Sequence, residues 1–443
     1  MNTNLGEIHR SLSGLSLSLL VLLPVAADSA APNLDDIEAR RLLAAAAPKV
    51  CEAGPDDVIA LEEALSEVSD GMTLVDVQNF GETTTWIRRR VRLEDRTAGA
   101  ALIVIATRAG TALRRVALEI YDIADGTPVA TALADGSCTV FHGRVIRYDE
   151  TGMASALLHL AADLQTVETR EPLNPPLSPG DDPGGVTIAH VDSGVNYLLP
   201  EIAPRLARDG EGAGLGYDYW DMDPRPFDGD TGRSPFFPIR HGTPVASLLA
   251  KEAPRSRLIP YRYPRPDMTR MGDLIAAAAA GGASIVAMPL GSTRRADWTA
   301  FEQAAVAHPE LLFVVSAGND GRDIDGRPLY PASLPLENMI VVTSADAFGR
   351  LASGSNWGAV SVDLMVPAEK LEVIDFRGAR GISSGASYAV PRVAALAARL
   401  KAANPTWTAA ELKRAIFARA APSLDRGPPR VAVGWIPNPA DDG

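Results

Sequence analysis

The sequence is poor in cysteine, lysine and basic charge. Its 443 residues include only two cysteines, Cys51 and Cys138, so a metal-binding cysteine pair is excluded. There are 42 basic and 55 acidic residues, which gives a net charge of −13. Nucleic acid and anionic membranes need a basic face, so neither is expected as the main partner. Beyond the first thirty residues, no apolar run reaches the roughly 20 residues of a membrane-spanning helix. Internal repeats and low-complexity tracts are also absent.

The first thirty residues have the pattern of an export signal. Arg10 precedes an apolar run, Leu12 to Val25, and Val25-Ala26-Ala27 has the small-x-small pattern of a cleavage site. We expect a signal peptide over residues 1–27, and the alternative is an uncleaved anchor. In the oxidising compartment that export implies, Cys51 and Cys138 could form a disulfide, while two unpaired thiols are the alternative.

Residues 28–170 predict a small α+β domain. Amphipathic periodicity predicts helices over Leu34–Ala47 and Val58–Val68, and from Thr84 the pattern changes to strands separated by turns. We therefore expect an antiparallel meander, closed by a short helix over Leu157–Leu164. No catalytic set of residues is found here. The predicted strands are Thr84–Leu93, Ala101–Thr107, Leu113–Ile123, Pro128–Leu133 and Thr139–Tyr148.

Residues 171–185 are rich in proline and glycine, and we predict a linker there without regular structure. Beyond it, apolar strands alternate with helices through residues 186–440. This alternation predicts an α/β domain with a parallel sheet covered by helices on both faces. The predicted strands are Val186–Val191, Arg257–Tyr263, Ser284–Met288, Leu312–Ser316 and Met339–Ser344. The predicted helices are His241–Lys251, Met271–Ala280 and Trp298–Ala307.

Four polar residues stand at ends of these elements. Asp192 follows a buried strand, where open α/β sheets place their chemistry. His241 opens a helix of small residues, Asn319 ends a strand in a Gly-Asn turn, and Ser387 opens an alanine-rich helix. Each alone is an ordinary turn or cap residue. His190, on the same strand as Asp192, is interpreted as a sheet residue and not as a second base.

Together these residues stand in the order acid, base, asparagine, serine, and all but the asparagine lie within three sequence motifs. The motifs are Asp192-Ser-Gly, His241-Gly-Thr-Pro-Val-Ala and Gly385-Ala-Ser-Tyr-Ala-Val-Pro-Arg-Val-Ala394. Over about residues 183–440 the chain resembles the subtilisin-like serine proteases, the subtilases, which share this order. An α/β-hydrolase would have another order and a Gly-x-Ser-x-Gly motif, which is absent here.

The resemblance implies an exported serine endopeptidase that needs no cofactor. In such a protein Ser387 would be the nucleophile, His241 the base and Asp192 the residue that orients the base. Asn319 and the Ser387 backbone N–H would form the oxyanion hole. The segment Pro289-Leu290-Gly291 would pair with an extended peptide or unfolded protein as substrate.

Several residues depart from the family pattern. They leave open an alternative, a weakly active or inactive protein of the same fold that binds peptides through residues 289–291. The departures are Pro244 for histidine, Pro289 for serine, Ala386 for threonine, Tyr388 for methionine and Arg392 for histidine.

Three further expectations concern calcium, the N-terminal domain and location. The acidic loop from Asp218 to Asp230 could hold Ca²⁺, although we favour a solvated acidic loop because its spacing matches no calcium motif. The domain at 28–170 is expected to contact the peptidase domain, either as a pro-domain removed by cleavage within 171–185 or as a permanent binding domain. The exported protein would be periplasmic or secreted, from a bacterium.

Overall fold

The computed structural model describes residues 34–55, 57–80, 86–425 and 427–441. The predicted signal peptide, residues 1–27, lies outside the described residues. The described part contains two large β-sheets, one antiparallel and one parallel, each with its own hydrophobic core. The predicted fold class is therefore confirmed. Within the described residues, no helix has the length and apolar character needed to cross a bilayer.

The N-terminal sheet is an eight-stranded antiparallel meander in which every strand pairs with its neighbours in sequence. Two helices, α1 and α2, cover one face and share its core. The helices are α1 (Asp36–Ala53) and α2 (Val58–Ser66); the strands are β1 (Met72–Phe80), β2 (Trp86–Asp95), β3 (Ala100–Ala109), β4 (Ala112–Asp122), β5 (Pro128–Asp135), β6 (Val140–Tyr148), β7 (Ala154–Leu160) and β8 (Val167–Pro172).

Three predictions for this region are wrong. Strand β1 was not expected, because a register shift between Leu74 and Asp76 interrupts its alternation of apolar and polar residues and the strand lies half exposed at the sheet edge. The predicted helix Leu157–Leu164 is not formed: residues 157–160 belong to strand β7, and residues 161–164 lie in the turn that follows it. Leu157 packs on one face of the sheet and Leu158 on the other. The apolar run therefore lacks the alternation of apolar and polar residues that identifies a strand. Strand β8 also continues to Pro172, two residues into the predicted linker.

The structure joins Cys51, in α1, to Cys138, in the turn between β5 and β6. Their Cα atoms lie 5.9 Å apart and their sulfurs form a disulfide. Helix α1 continues past Pro48, where a helix end would be expected, and Val50 in this last part is fully buried. The bond thus ties the end of α1 to the sheet that it covers.

The second sheet has the strand order β10-β11-β9-β12-β13-β14-β15-β18, and all its pairs are parallel. Helices α3, α6 and α7 contribute to the core on one face, and α4 and α5 to that on the other. In chain order the elements are β9 (Thr187–Asp192), β10 (Tyr217–Asp218), α3 (Gly242–Glu252), β11 (Arg257–Arg262), α4 (Met271–Ala280), β12 (Ala283–Met288), α5 (Thr299–Ala307), β13 (Leu312–Ser316), β14 (Met339–Ala345), β15 (Leu364–Pro367), the hairpin β16 (Leu371–Ile374) and β17 (Arg380–Ser383), α6 (Ala386–Ala403), α7 (Ala409–Phe417) and β18 (Gly434–Trp435).

The order of the parallel strands determines where a site can form. Strand β9 lies between β11 on one side and β12 on the other, so the chain direction across the sheet reverses at β9. Open α/β sheets bind ligands in the crevice at the carboxyl ends of strands at such a reversal. Asp192 is the last residue of β9.

Candidate active site

Asp192 and His241 form a close pair at this end of the sheet. The Nδ1 atom of His241 lies 2.8 Å from Oδ1 and 2.9 Å from Oδ2 of Asp192. An ionised carboxylate only accepts hydrogen bonds, so Nδ1 carries the proton and Nε2 is the free basic atom of the neutral ring. The Asp192 side chain is 5% exposed and that of His241 is 30% exposed. The pair can therefore accept a proton from a group in the crevice.

Burial and charge act in opposite directions on this pair. Burial alone would lower the pKa of His241, but the negative charge and hydrogen bond of Asp192 raise it to about 9. Burial would raise the pKa of Asp192, but the charge and hydrogen bond of His241 hold it below its usual value. The fold thus favours an aspartate–imidazolium pair.

His241 is held by hydrogen bonds at the start of α3, and Ser193 provides two of them. The Ser193 Oγ atom accepts hydrogen bonds from the backbone N–H of His241 at 3.2 Å and from that of Gly242 at 2.9 Å. The same hydroxyl donates to Asp228 Oδ1 at 2.7 Å. Asp228 Oδ2 accepts from the backbone N–H of Thr243 at 2.8 Å. Ser193 and Asp228 therefore cap helix α3, whose own N-cap residue, His241, makes no side-chain capping hydrogen bond.

Asp228 is a site residue that the sequence did not reveal. It is fully buried, and burial raises its pKa to about 6 against the hydrogen bonds from Thr243 and Ser193. Twelve residues separate it from His241, so no short motif links the two. Its acidic neighbours also make it look like part of a solvated loop.

Gly242 lets α3 approach the loop after β9. A Cβ atom at this position would lie 1.9 Å from the carbonyl oxygen of Gly194, which is far inside van der Waals contact. Any other residue would push His241 away from Asp192. The glycine after the histidine is therefore required by packing, and it brings the two motifs together.

Ser387 is the second residue of α6, and Asn319 lies against the start of that helix. The Asn319 Oδ1 atom accepts from the Ala386 backbone N–H at 2.8 Å, so the amide NH₂ of Asn319 is free to donate elsewhere. Among the described residues, no acceptor is bonded to the backbone N–H of Ser387. Two donors are thus available beside the serine, as an oxyanion hole requires.

The structure places the start of helix α6, which carries Ser387, beside the Asp192–His241 pair. The ring of Tyr388, the next residue, lies 6.2 Å from that of His241, measured between centroids. Within the described ranges, no hydrogen bond joins Ser387 to His241. Such bonds are often long in enzymes without substrate and shorten in the reacting complex.

The predicted substrate segment lines the same groove as the pair. A groove of about 690 Å³ is bordered by Asp192 and His241 on one side and by residues 289–294 on the other. Residues 289–291 follow Met288, the last paired residue of β12, and Pro289 has no N–H to donate. Beyond them, Ser292 pairs with Tyr330 through two backbone hydrogen bonds of 2.8 Å. An extended peptide could lie along this segment.

The acidic loop does not match either expectation. Asp218 and Asp228 are buried, so the loop is not simply solvated. Asp218 and Asp221 both bind Arg262, which lies over the Trp220 ring at 4.5 Å, while Asp223 binds Arg225. Among the described residues, no group of acidic, histidine or cysteine side chains is arranged to hold a metal ion. These carboxylates do not fit Ca²⁺, because each already has a protein donor.

His190 lies in the sheet. It is fully buried in β9, and its Nε2 atom donates to the Gly242 carbonyl at 3.0 Å. Burial lowers the pKa of His190, which favours the neutral ring. Its Nε2 atom is 4.0 Å from Asp192 Oδ2, so it stands behind the carboxylate and away from the groove.

A parallel α/β sheet with an Asp–His pair at its reversal and a serine at a helix start defines the subtilisin-like class. The profile of the subtilase family matches residues 184–435, more than half of the chain. The chain belongs to the subtilase family.

Several individual proteins are similar to this chain. The thermophilic serine proteinase of Bacillus sp. (strain AK1) is 32% identical over 233 residues, 49% of this chain and 52% of that protein. Subtilisin of Bacillus pumilus is 25% identical over 253 residues, which is 53% of this chain and 84% of that protein. A cold adapted subtilisin-like serine proteinase of known structure has 24% identity and a TM-score of 0.47, covering 60% of this chain and 94% of its own. The chain thus spans about half the length of the thermophilic proteinase.

Proposed function

We propose that the protein is an exported serine endopeptidase that hydrolyses peptide bonds through Asp192, His241 and Ser387. The observation that carries this proposal is the short contact of His241 Nδ1 with both oxygens of the buried Asp192. It leaves Nε2 as the one basic ring atom of the neutral imidazole. The names of the relatives, serine proteinase and subtilisin, support the same reaction class.

In the proposed mechanism, His241 Nε2 removes the hydroxyl proton of Ser387 while Oγ attacks the scissile carbonyl carbon. The Asn319 amide and the Ser387 backbone N–H stabilise the resulting oxyanion. His241 then gives the proton to the leaving amine, the C–N bond breaks and an acyl-enzyme forms. A water molecule then attacks the acyl-enzyme through the same steps, and the peptide is released with a free carboxyl group. Asp192 keeps the proton on Nδ1 and stabilises the imidazolium.

The proposed substrate is an extended peptide or an unfolded protein segment. Main-chain groups of Leu290 and Gly291 would pair with it as an added strand, and Pro289 would contribute only its carbonyl. In this proposal residues 1–27 direct export, 28–170 form a separate domain, 171–185 form the linker and 186–440 form the peptidase domain.

Fluorophosphonate labelling of the full chain beside Ser387→Ala tests this function. Such probes react only with an activated serine, so we expect labelling of the wild type and none of the variant. Equal labelling of both would place the reactive residue elsewhere.

The second candidate is a weakly active or inactive peptide-binding protein. It is favoured by Pro289 and by the lack of a Ser387–His241 hydrogen bond among the described residues. Peptide binding without labelling or hydrolysis would select this alternative.

A further inference from the structure

The segment between Asp228 and His241 is anchored in the N-terminal domain. Phe236, in this segment, is fully buried, and it packs against Ile146 of β6 and Leu157 of β7. The Tyr121 ring meets it edge-on, with 6.0 Å between centroids. Removing a phenylalanine side chain from water in this way stabilises the contact between the two domains. The two domains therefore share a small core directly before the histidine motif.

Arg144 adds a polar contact to the same segment. Its Nη1 atom donates to the Phe236 carbonyl at 2.8 Å, and its guanidinium lies 4.2 Å from the centre of the Phe237 ring. A backbone carbonyl and an aromatic face are thus both held from β6. The path of the segment depends on the N-terminal sheet.

Arg240, the residue directly before His241, joins three parts of the molecule. Its Nη2 atom pairs with Glu171 of β8, and its Nη1 atom donates to the backbone carbonyl of Asp228. Its guanidinium also lies 4.1 Å from the centre of the Phe376 ring. The Arg240 and Glu171 side chains are each 14% exposed, so solvent weakens this ion pair less than one at the surface.

Glu171 is surrounded by positive or hydrogen-bonding groups. His159 Nε2 lies 3.5 Å and Arg377 Nη2 3.8 Å from its Oε2, while Arg240 binds Oε1. Burial would raise the pKa of Glu171, but His159 and Arg240 outweigh this effect and lower it to about 2. The carboxylate is therefore charged at the pH values at which the protein would act.

The connection after β8 lies against the peptidase domain. Asp182 Oδ2 accepts from the Arg208 backbone N–H and from Arg257 Nη1, both at 2.7 Å. The Tyr197 hydroxyl donates to the Pro175 carbonyl at 2.5 Å. Cleavage within 171–185 would therefore leave both the shared core and the Arg240–Glu171 pair in place.

We propose that Glu171 and Arg240 are positioning residues for His241, and that the N-terminal domain is a retained part of the peptidase. Glu171 fixes Arg240, and Arg240 fixes the backbone on both sides of the segment, at Asp228 and at His241. Asp228 in turn caps α3 and binds Ser193. This inference rests on the proposed function, and it excludes an inhibitory domain that must be lost before activity appears.

The test compares Glu171→Gln with Asp182→Asn in the full chain. Both variants lose an interdomain or linker carboxylate, but Asp182 contacts Arg208 and Arg257, away from His241. We expect Glu171→Gln to lower kcat and the labelling rate by about tenfold to a hundredfold, because small displacements of a catalytic group have effects of this size. KM should change less than kcat, since residues 289–291 belong to another element and only part of the displaced segment, such as Asp230 and Ile239, lines the groove. Asp182→Asn should keep the wild-type kcat.

A second readout does not need activity. The Nδ1 proton of His241, bonded to Asp192, can be observed by nuclear magnetic resonance in each variant. We expect its resonance to shift or broaden in Glu171→Gln and to stay unchanged in Asp182→Asn. Unchanged kcat and resonance in Glu171→Gln would overturn the positioning role. Absence of labelling in the wild type would contradict the proposed function. The resonance of the Nδ1 proton would still decide whether Glu171 positions His241.

Intact mass of the active protein tests retention. We expect the labelled species to contain residues 34–172, in one chain or in two chains that stay associated. A labelled species from which the N-terminal domain has dissociated would overturn the inference.

Discussion

At the scale of single residues, the chemistry depends on how His241 titrates. Asp192 raises the pKa of the imidazole, so the ring is largely protonated near neutral pH. A base must be unprotonated before it can act. We therefore expect the labelling rate to rise with pH up to about 9, where the ring loses its proton.

The variant Asp192→Asn checks this explanation. Removing the carboxylate leaves burial to act with less opposition, so the pKa of His241 should fall. Titration of the His241 ring protons by nuclear magnetic resonance would measure it in both proteins. An unchanged pKa would show that Asp192 is not the cause.

The same shift links stability to pH. The folded-state pKa of His241 is raised above the usual 6.5, so its ion pair stabilises the folded protein fully below pH 6.5. This contribution is lost as pH rises through about 9. We expect the excess Tm of wild type over Asp192→Asn to be greatest at the lower pH and to shrink above about 9. A constant difference would contradict this.

Gly385 provides a second prediction for a single residue. Its φ of +119° is unfavourable for other residues, and an added Cβ would lie 2.9 Å from Asn319 Oδ1. We expect Gly385→Ala to displace the Asn319 amide and lower the labelling rate by about 10²–10³-fold, as loss of an oxyanion donor does. Gly381→Ala is the matched control, because a Cβ there meets no atom within 4 Å. Equal rates for both variants would exclude this role of Asn319.

At the scale of elements, Arg392 connects the serine helix α6 to its surroundings. Its Nε atom binds Glu252, at the end of α3, at 2.9 Å, and its Nη1 atom donates to the Pro367 carbonyl at 2.6 Å. The two side chains are only 8% and 9% exposed. The family's usual histidine at this position is thus replaced by a residue that ties α6 to α3 and to β15.

We expect Arg392→Met to lower the free energy of unfolding by about 3–5 kcal/mol, because it leaves Glu252 buried without its partner. Arg380→Met is the control: Arg380 also pairs with a glutamate but is 80% exposed. Loss of that surface pair should cost less than about 1 kcal/mol. Denaturant unfolding of both variants measures the difference, and similar losses would contradict the argument from burial.

At the scale of the whole molecule, the disulfide stabilises the N-terminal domain independently of the peptidase core. Cys51 and Cys138 lie 87 positions apart in the sequence, and closing such a loop contributes roughly 4–5 kcal/mol in the chain-entropy model. We expect the double variant Cys51→Ala, Cys138→Ala to unfold its N-terminal domain at a lower temperature. Calorimetry with and without reductant measures this. Reductant should have no effect on the double variant.

Local patterns in the sequence were enough to predict the main helices and strands of the second domain. Buried parallel strands such as 312–316 are continuous apolar runs, and the helices between them have a clear period, so their type could be predicted. The strands of the first domain were harder to predict. Residues 154–160 are buried on both faces, by α1 and the core on one and by Phe236 on the other, and β1 has an exposed edge. Neither strand has the simple alternation that identifies one.

The sequence by itself determined the family, and it predicted the four candidate residues Asp192, His241, Asn319 and Ser387 from short local patterns at the ends of elements. Only the tertiary structure decided the contacts between distant segments. Asp228 caps α3 across a gap of twelve residues, and Glu171 reaches Arg240 from another domain. Burial and hydrogen bonds between distant segments depend on the packed chain, and no local pattern encodes them.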